Sequence, residues 1–341
     1  MNLTSPSQVK AWCLESGFHP NKVLGQNFLI DKNALDAIID AAEIPADAVP
    51  PPRVLEIGPG LGVLTEGLLA RGCAVTAIEK DPVLAARLAG SLGSPAALDV
   101  VEGDALDSIR AGGCDAFPFM VSNLPYQAGT RILLELIKRV DPQGAPERRP
   151  PDVMVVLVQT EVAERLSAGP GSKTRSLAGV WAQLDYDVSP VRKVAASCFW
   201  PRPEIGSTVV RLVRHHRNDA VPYAVREAFH SLSKLAFEHR RKQLGAIFKT
   251  QGFALPRDAS QQQKLGSERS LSEARFGDLA FFRNDEGRII HVGFILDNRH
   301  ILHCSGSVRT DRIDGTGIFR ESDRHYTHQL HSIRHIYNLT E

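Results

Sequence analysis

The chain has 341 residues, 43 % hydrophobic and 23 % charged, an ordinary globular composition with material for a large core and a length that calls for two or three domains. Its formal net charge of +1 excludes a uniformly basic protein but hides a gradient: residues 214–275 carry twelve basic and six acidic side chains, 276–341 eight and nine, and 1–213 twenty and twenty-four, so a polyanion-facing module sits beside an acidic body. Five scattered cysteines without CxxC spacing, no apolar run long enough to span a bilayer and no basic-then-apolar leader argue against a disulfide framework, a zinc site, a membrane protein or a secreted one, and predict a cytoplasmic location.

In chain order, residues 1–23 read as an irregular arm. Residues 24–31, LGQNFLID, form a loop whose Asp31 can cap a helix over 32–42. Pro50-Pro51-Pro52 stops structure ahead of a strand at 53–57 that runs into glycines. A helix over 61–71 ends at Gly72, and a second strand, apolar almost throughout as a buried parallel strand should be, spans 74–79. A helix over 83–92, strands at 99–102 and 117–122, a helix over 131–140 and a strand at 153–159 continue the alternation, which predicts a doubly wound parallel sheet. Residues 221–249 read as helical and 254–275 as polar with little helix. Strands at 279–282, 289–296 and 301–304, separated by Asn-Asp-Glu-Gly and Asp-Asn turns, read as a β-meander.

The chemistry-bearing residues gather at strand ends. Glu56-Ile57-Gly58-Pro59-Gly60-Leu61-Gly62 follows the first strand and opens a helix. Glycines there let the backbone approach a ligand without a Cβ in the way, although such turns serve many nucleotides and the last glycine of GxGxxG is missing. Glu79 ends the second strand, where a carboxylate can accept from ribose hydroxyls or simply be an exposed acid. Asp104 follows the third, where it can accept from an adenine amine or cap a helix. Their recurrence at successive strand ends favours one ligand site. The fourth strand ends in Asn123-Leu124-Pro125-Tyr126. An exocyclic adenine amine is a poor nucleophile because its lone pair is delocalised into the ring. Acceptors on both amine hydrogens, the Asn123 side-chain oxygen and the Pro125 carbonyl, would pull the nitrogen towards tetrahedral geometry, and Tyr126 offers a stacking face for an extruded base.

LGQNFLID, VLEIGPGLGVLTE, IEKD, EGDAL, SNLPY and FWPRPEIGSTVVRL, in this order, resemble the ribosomal RNA adenine dimethyltransferases over about residues 20–272. The resemblance implies a Rossmann-like methyltransferase domain with a mostly parallel seven-stranded sheet over 1–213, followed by a small helical rRNA-docking domain over 214–275. It implies S-adenosylmethionine as cofactor, bound by Asn27, Leu29, Gly58, Gly60, Glu79, Asp104 and Asn123. The target adenine would be held by Asn123, Pro125 and Tyr126, with Phe199 stacking on its other face. The implied activity is methylation of two adjacent adenosines near the 3′ end of small-subunit rRNA in the immature subunit, by a monomer. Gln127-Ala128-Gly129 departs from the usual Asn-Ile-Ser and bears on the second methylation. Phe237-Glu238-His239-Arg240-Arg241-Lys242 resembles the family's basic helix and puts Arg240, Arg241 and Lys242 forward as phosphate contacts.

Residues 276–341 instead resemble the back half of NlpC-type cell-wall cysteine peptidases, as an extra α+β fragment. The resemblance makes His291 the base and His303 its orienting partner, but the nucleophilic Cys of an Asp-Cys-Ser-Gly helix start is missing upstream, so the fragment is expected to be inactive. Without its helical half, one apolar sheet face should be poorly covered. His325, His328, His331 and His335 have spacing that places them on one helix face, a weak metal pattern without a Cys or carboxylate to complete it, so no metal is expected. A large-subunit adenine methyltransferase of the macrolide-resistance type, a non-catalytic ribosome-assembly factor and a peptidoglycan peptidase are the competing readings.

Overall fold

The computed structural model describes residues 2–21, 24–46, 48–138, 149–169, 172–219, 221, 223–238, 256, 258–275, 277–305, 307–321 and 324–336. The chain divides into two compact units, Met1–Ala168 with Thr174–His230, and Gly169–Lys173 with Ser231–Glu341.

The first unit is a three-layer α/β body. Its strands are β1 (Phe28–Leu29), β2 (Arg53–Ile57), β3 (Ala74–Glu79), β4 (Leu98–Glu102), β5 (Phe119–Asn123), β6 (Val153–Gln159), β7 (Tyr186–Val194), β8 (Phe199–Trp200) and β9 (Ser207–Arg214). Seven of them form one sheet in the order β4-β3-β2-β5-β6-β9-β7, with β9 antiparallel to both neighbours and the β4–β6 portion parallel throughout. Val54, Leu55, Met120, Val121 and the run Met154–Val158 are buried, because helices cover both faces. Two cores result, one on each side of the sheet: Val54, Val75, Val121 and Val155 face one, and Leu55, Ile57, Met120 and Val156 the other.

The helices α2 (Lys32–Ala41), α3 (Val63–Ala70), α4 (Pro82–Ser91), α5 (Ala105–Ala111), α6 (Gly129–Lys138), α7 (Thr160–Ser167) and α8 (Leu177–Asp185) connect the strands. Asp31 caps α2 through the Ala34 amide at 2.8 Å, as its position predicts. The N-terminal arm is a correction: Pro6–Ser16 is a helix, α1, with Pro6 in its first turn and Gly17 closing it in the left-handed region. It buries only Val9 and Cys13, so it shows little amphipathic pattern in sequence. A further helix, α9 (Tyr223–Glu238), starts in this unit, where its buried Arg226 makes a bidentate pair with Asp185 at 2.7 and 2.8 Å.

The second unit is all but entirely β after a short helix, Ala259–Gln262. Its strands are β10 (Ser267–Arg269), β11 (Leu279–Arg283), β12 (Ile289–Ile295), β13 (His300–Ser305), β14 (Ser307–Ile313), β15 (Gly317–Arg320) and β16 (His325–His335). Each pairs antiparallel with the next from β11 to β16, and β16 returns to pair with β11, with β10 added beside β16. The six strands therefore close into a barrel. This corrects the expectation of an uncovered apolar face: Ala280, Phe282, Ile295, Ile301, Ile313, Ile318 and Ile333 form a common buried core within it, and a sheet closed on itself needs no helical layer for that side. The four histidines expected on a helix lie on the strand β16.

Candidate active site

A cavity of about 380 Å³ opens at the carboxyl ends of β2, β3, β4 and β5, where open parallel sheets bind ligands and within the usual range of ~300–1,000 Å³ for small-molecule sites. Its walls include Asn27, Leu29, Gly58, Gly60, Glu79, Asp104, Asn123, Pro125 and Tyr126. The structure thus brings together all the expected cofactor positions and three of the four expected base-binding ones.

The glycine turn is shaped by close approach. Gly58 has φ +70°, and a Cβ on it would lie 3.6 Å from Pro125 Cδ, filling the gap between the turn and the end of β5. Gly60, at φ +59°, would place a Cβ 3.0 Å from the Phe28 ring. The Gly60 amide donates to Glu79 Oε2 at 3.0 Å and the Asp81 amide to Oε1 at 2.9 Å. Burial raises the Glu79 carboxyl above the ordinary range, while these amides hold it down. Gln26 joins the same cluster: its Nε2 donates to Asp81 Oδ2 at 2.9 Å and its Oε1 accepts from the Asn21 amide at 2.7 Å, tying the LGQNF loop to the acid turn. Sequence reasoning passed over Gln26 although it lies inside a quoted motif.

Asp104 caps α5 through the Leu106 amide at 2.8 Å, and its other oxygen meets Lys80 Nζ at 2.8 Å. The Lys80 ammonium holds this carboxyl below its usual range. The same side chain thus caps α5 and lines the cavity. Beneath the turn, Glu56 is buried, takes a 2.7 Å bond from Thr65 on one oxygen and has no partner on the other. Burial pushes its carboxyl up to about 8.

At the end of β5, Asn123 Nδ2 donates to the Asn27 carbonyl at 3.1 Å. With the nitrogen so engaged, Oδ1 is the atom left to accept. Pro125 requires a correction: its carbonyl receives the Ala128 amide at 3.2 Å and the Gly129 amide at 2.7 Å at the start of α6, so both lone pairs are taken by the chain itself. Tyr126 sits half-buried with its hydroxyl 2.6 Å from Ser207 Oγ. Burial raises its phenol, against the Ser207 bond, and keeps it a neutral ring at physiological pH. Phe199 is also corrected. It is buried, absent from the cavity wall, and edge-on to Tyr126 at 6.4 Å between centroids; β8 carries it and pairs with β1, matching Leu29 to Phe199. It backs the tyrosine rather than facing the cavity. Arg240, Arg241 and Lys242 lie outside the described residues.

The barrel gathers a second polar group. His291 Nε2 and His303 Nδ1 are 2.9 Å apart, and His303 Nε2 is 2.9 Å from Asp311 Oδ2. His328 stacks on His291 at 4.2 Å. Burial first, then the neighbouring His328 and His303, bring His291 down to about 4. Base and orienter are adjacent as expected, and Asp311 is an addition the sequence did not signal. No cysteine lies between Cys198 and Cys304. Of the β16 histidines, His328 joins this group and His335 meets Asp278 Oδ1 at 2.7 Å. Among the described residues, no set of three His, Cys, Asp or Glu is arranged to hold a metal, and no helix is long and apolar enough to cross a membrane.

Residues 17–280 match the family described as ribosomal RNA adenine dimethylase, and residues 244–327 match the NlpC/P60 family. The chain is 36 % identical over 252 residues to ribosomal RNA small subunit methyltransferase A of Opitutus terrae, covering 72 % of this chain and 84 % of that protein. It is 39 % identical over 247 residues to the protein of the same name from an Arthrobacter species, covering 72 % and 79 %. Among solved structures, a dimethyladenosine transferase from Plasmodium falciparum superposes with a TM-score of 0.54 at 28 % identity, covering 65 % of this chain and 74 % of that one.

Proposed function

The chain belongs to the ribosomal RNA adenine dimethylase family, and from that premise we propose how its own residues carry methyl groups from S-adenosylmethionine to the N6 amine of adenosines in small-subunit rRNA. The observation that carries the reading is the single cavity walled by Gly58, Glu79, Asp104 and Asn123 at four neighbouring strand ends. Its residues suit the cofactor: a glycine turn kept open where a Cβ would protrude, a carboxylate at the end of β3 for ribose hydroxyls, a second at Asp104 for the adenine amine, and the Asn27–Leu29 segment along the remaining wall. When bound, S-adenosylmethionine supplies an electrophilic methyl group on a sulfonium.

The protein's part is positioning and dipolar stabilisation. The Asn123 oxygen, fixed by the bond from Nδ2 to Asn27, accepts one amine hydrogen of the target adenine. The second acceptor passes from Pro125, whose carbonyl is engaged, to the carbonyl of Leu124 one residue earlier. Two acceptors localise the amine's lone pair and charge develops on nitrogen against two oxygens. Tyr126 stacks on the extruded base, backed by Phe199. The alkylated amine is a strong acid and releases its proton to water, so no side-chain base is required.

The finer reading is two adjacent adenosines near the 3′ end of small-subunit rRNA, modified in the cytoplasm by a monomer. Residues 1–213 form the catalytic domain, 214–275 dock on RNA through Arg240, Arg241 and Lys242, and 276–341 are an inactive peptidase-like addition. The peptidase likeness reaches back to residue 244 and overlaps the dimethylase match, which runs to residue 280. Incubating the protein with undermethylated small subunits and labelled cofactor, then mapping the modified bases, tests the activity and its target nucleotides. Label on large-subunit RNA would favour the macrolide-resistance type. Failure to bind S-adenosylmethionine would leave only an assembly factor.

A further inference from the structure

We propose that Ser207 is a positioning residue of the methyl-transfer site, holding the Tyr126 ring at a fixed depth and angle so that the stacked adenine meets the Asn123 oxygen in one pose. The proposal rests on the adenine-methylation reading above and adds a residue to it.

Three observations support it. First, the two hydroxyls are 2.6 Å apart, a short hydrogen bond made at the far end of the tyrosine ring. A phenol ring turns on two side-chain torsions, and stacking alone tolerates sliding and tilt. A bond at Oη removes that freedom, while the other end of the residue is set by the chain: a Cβ on Gly25 would lie 3.3 Å from the Tyr126 amide nitrogen, so the loop and the backbone are in close approach there. Second, Ser207 is fully buried and cannot yield. It begins β9, paired with Gln159 of β6 on one side and Val194 of β7 on the other. Thr160 fixes the residues on both sides of it, donating from Oγ1 to the Gly206 carbonyl at 3.1 Å and lying 3.1 Å from Thr208 Oγ1. The hydroxyl is thus attached to the seven-stranded sheet, with strands paired on both sides of it. Third, Phe199 packs against the Tyr126 ring at 67° with centroids 6.4 Å apart, and Tyr126 lines the cavity while Phe199 does not.

The consequence is geometric. The target nitrogen must lie near-attack to the donor methyl, and misplacement of about 1 Å costs on the order of a hundredfold in rate. A tyrosine free to tilt would let the base do the same. Ser207, which is not part of the cavity wall, thereby acts through Tyr126.

The test uses the full chain and four variants: Ser207→Ala, Ser207→Cys, Tyr126→Phe and the double variant Ser207→Ala with Tyr126→Phe. Single-turnover methylation of undermethylated small subunits and the dissociation constant of S-adenosylmethionine by calorimetry are measured for each. The expected result is a rate loss of about tenfold in Ser207→Ala and a similar loss in Tyr126→Phe, with the double variant no slower than either single one, because both remove the same bond. Ser207→Cys, which keeps the volume and a weak donor, falls between. Cofactor affinity stays within about twofold throughout, which also reports a folded site. Wild-type rate in Ser207→Ala overturns the proposal. So do losses that multiply in the double variant, or a fall in cofactor affinity that parallels the rate. If Ser207→Ala does not fold, the cycle is run with Ser207→Cys and Tyr126→Phe under the same criteria. Absence of transfer by the unaltered protein would sink the methylation reading itself, a result distinguishable from failure of the Ser207 variants alone.

Discussion

The cavity at the strand ends and the histidine relay in the barrel are both polar clusters gathered by β-strands, and they differ in what the polar atoms face. In the first unit, side chains fixed by the chain line an open cavity: Asn123 uses its nitrogen on Asn27 and keeps its oxygen, and the Glu79 carboxylate is held by backbone amides. In the barrel, His303 is satisfied on both ring nitrogens, by His291 and Asp311, and His291 is held neutral by burial. A base and its orienter are present, but no cysteine stands upstream of them in the peptidase-like segment. A constellation becomes a site when its free valences converge on a space a substrate can enter; side-chain identity alone produces either outcome.

The largest effect that would break this contrast is at Asn123. Asn123→Ala should lower methyl transfer by a hundredfold or more, on the order of ~10²–10³ as for loss of one transition-state hydrogen-bonding group. Cofactor affinity should fall by no more than about tenfold, ~1.4 kcal/mol. Equal losses in both would show that the amide serves cofactor binding only.

Asp311→Ala should do the reverse. It removes the carboxylate 2.9 Å from Nε2 of the buried His303 and should cost about 1–3 kcal/mol of barrel stability, read as an earlier transition in urea, with methyl transfer unaltered. A change in methylation rate without a stability change would place the relay in the transferase reaction.

Converting Arg240, Arg241 and Lys242 to Ala should flatten the salt dependence of rRNA binding, the slope in log affinity against log salt falling by up to roughly 2–3 units if all three meet phosphates. An unchanged slope removes these residues from the RNA surface.

The smallest effect is in pH. His291 is brought down to about 4 in the folded barrel, below the ordinary imidazole value, and His328 is also lowered by burial, then by His303 and Arg320, against Asp311. The unfolded chain therefore binds more protons than the folded one between about pH 6.5 and 4. Their contribution is complete above about pH 6.5 and declines as the pH falls towards 4. Chemical denaturation across that range, compared with His291→Gln, should show the wild-type barrel losing stability faster on acidification. Parallel curves would mean that His291 is solvated.

Much of the first unit was legible because its determinants are local. The glycines of 58–62 sit between a buried apolar strand and a helix start, Asp31 caps where its spacing says, and the carboxylates and amide of the cavity each close a strand. Ser207 and Gln26 were inside quoted motifs, yet their partners lie 81 and 55 residues away in sequence, and nothing in a motif names a distant partner. The histidines of β16 fit helical spacing on paper. They form a strand because β11 and β15 supply backbone partners on both sides of it.

What the amino-acid sequence determined by itself was composition-level and periodic: an alternating α/β body, a meander after it, and the residue types that a methyl-donor cofactor and an adenine amine require. Tertiary structure decided which of those residues share a space and which atoms remain available there. It gave the Pro125 carbonyl to α6, turned Phe199 into a support for Tyr126, and closed the meander into a barrel through the β15–β16 and β16–β11 pairings. The physical reason is that hydrogen-bond satisfaction is settled between segments far apart in the chain, whereas propensity and pattern act over a few residues.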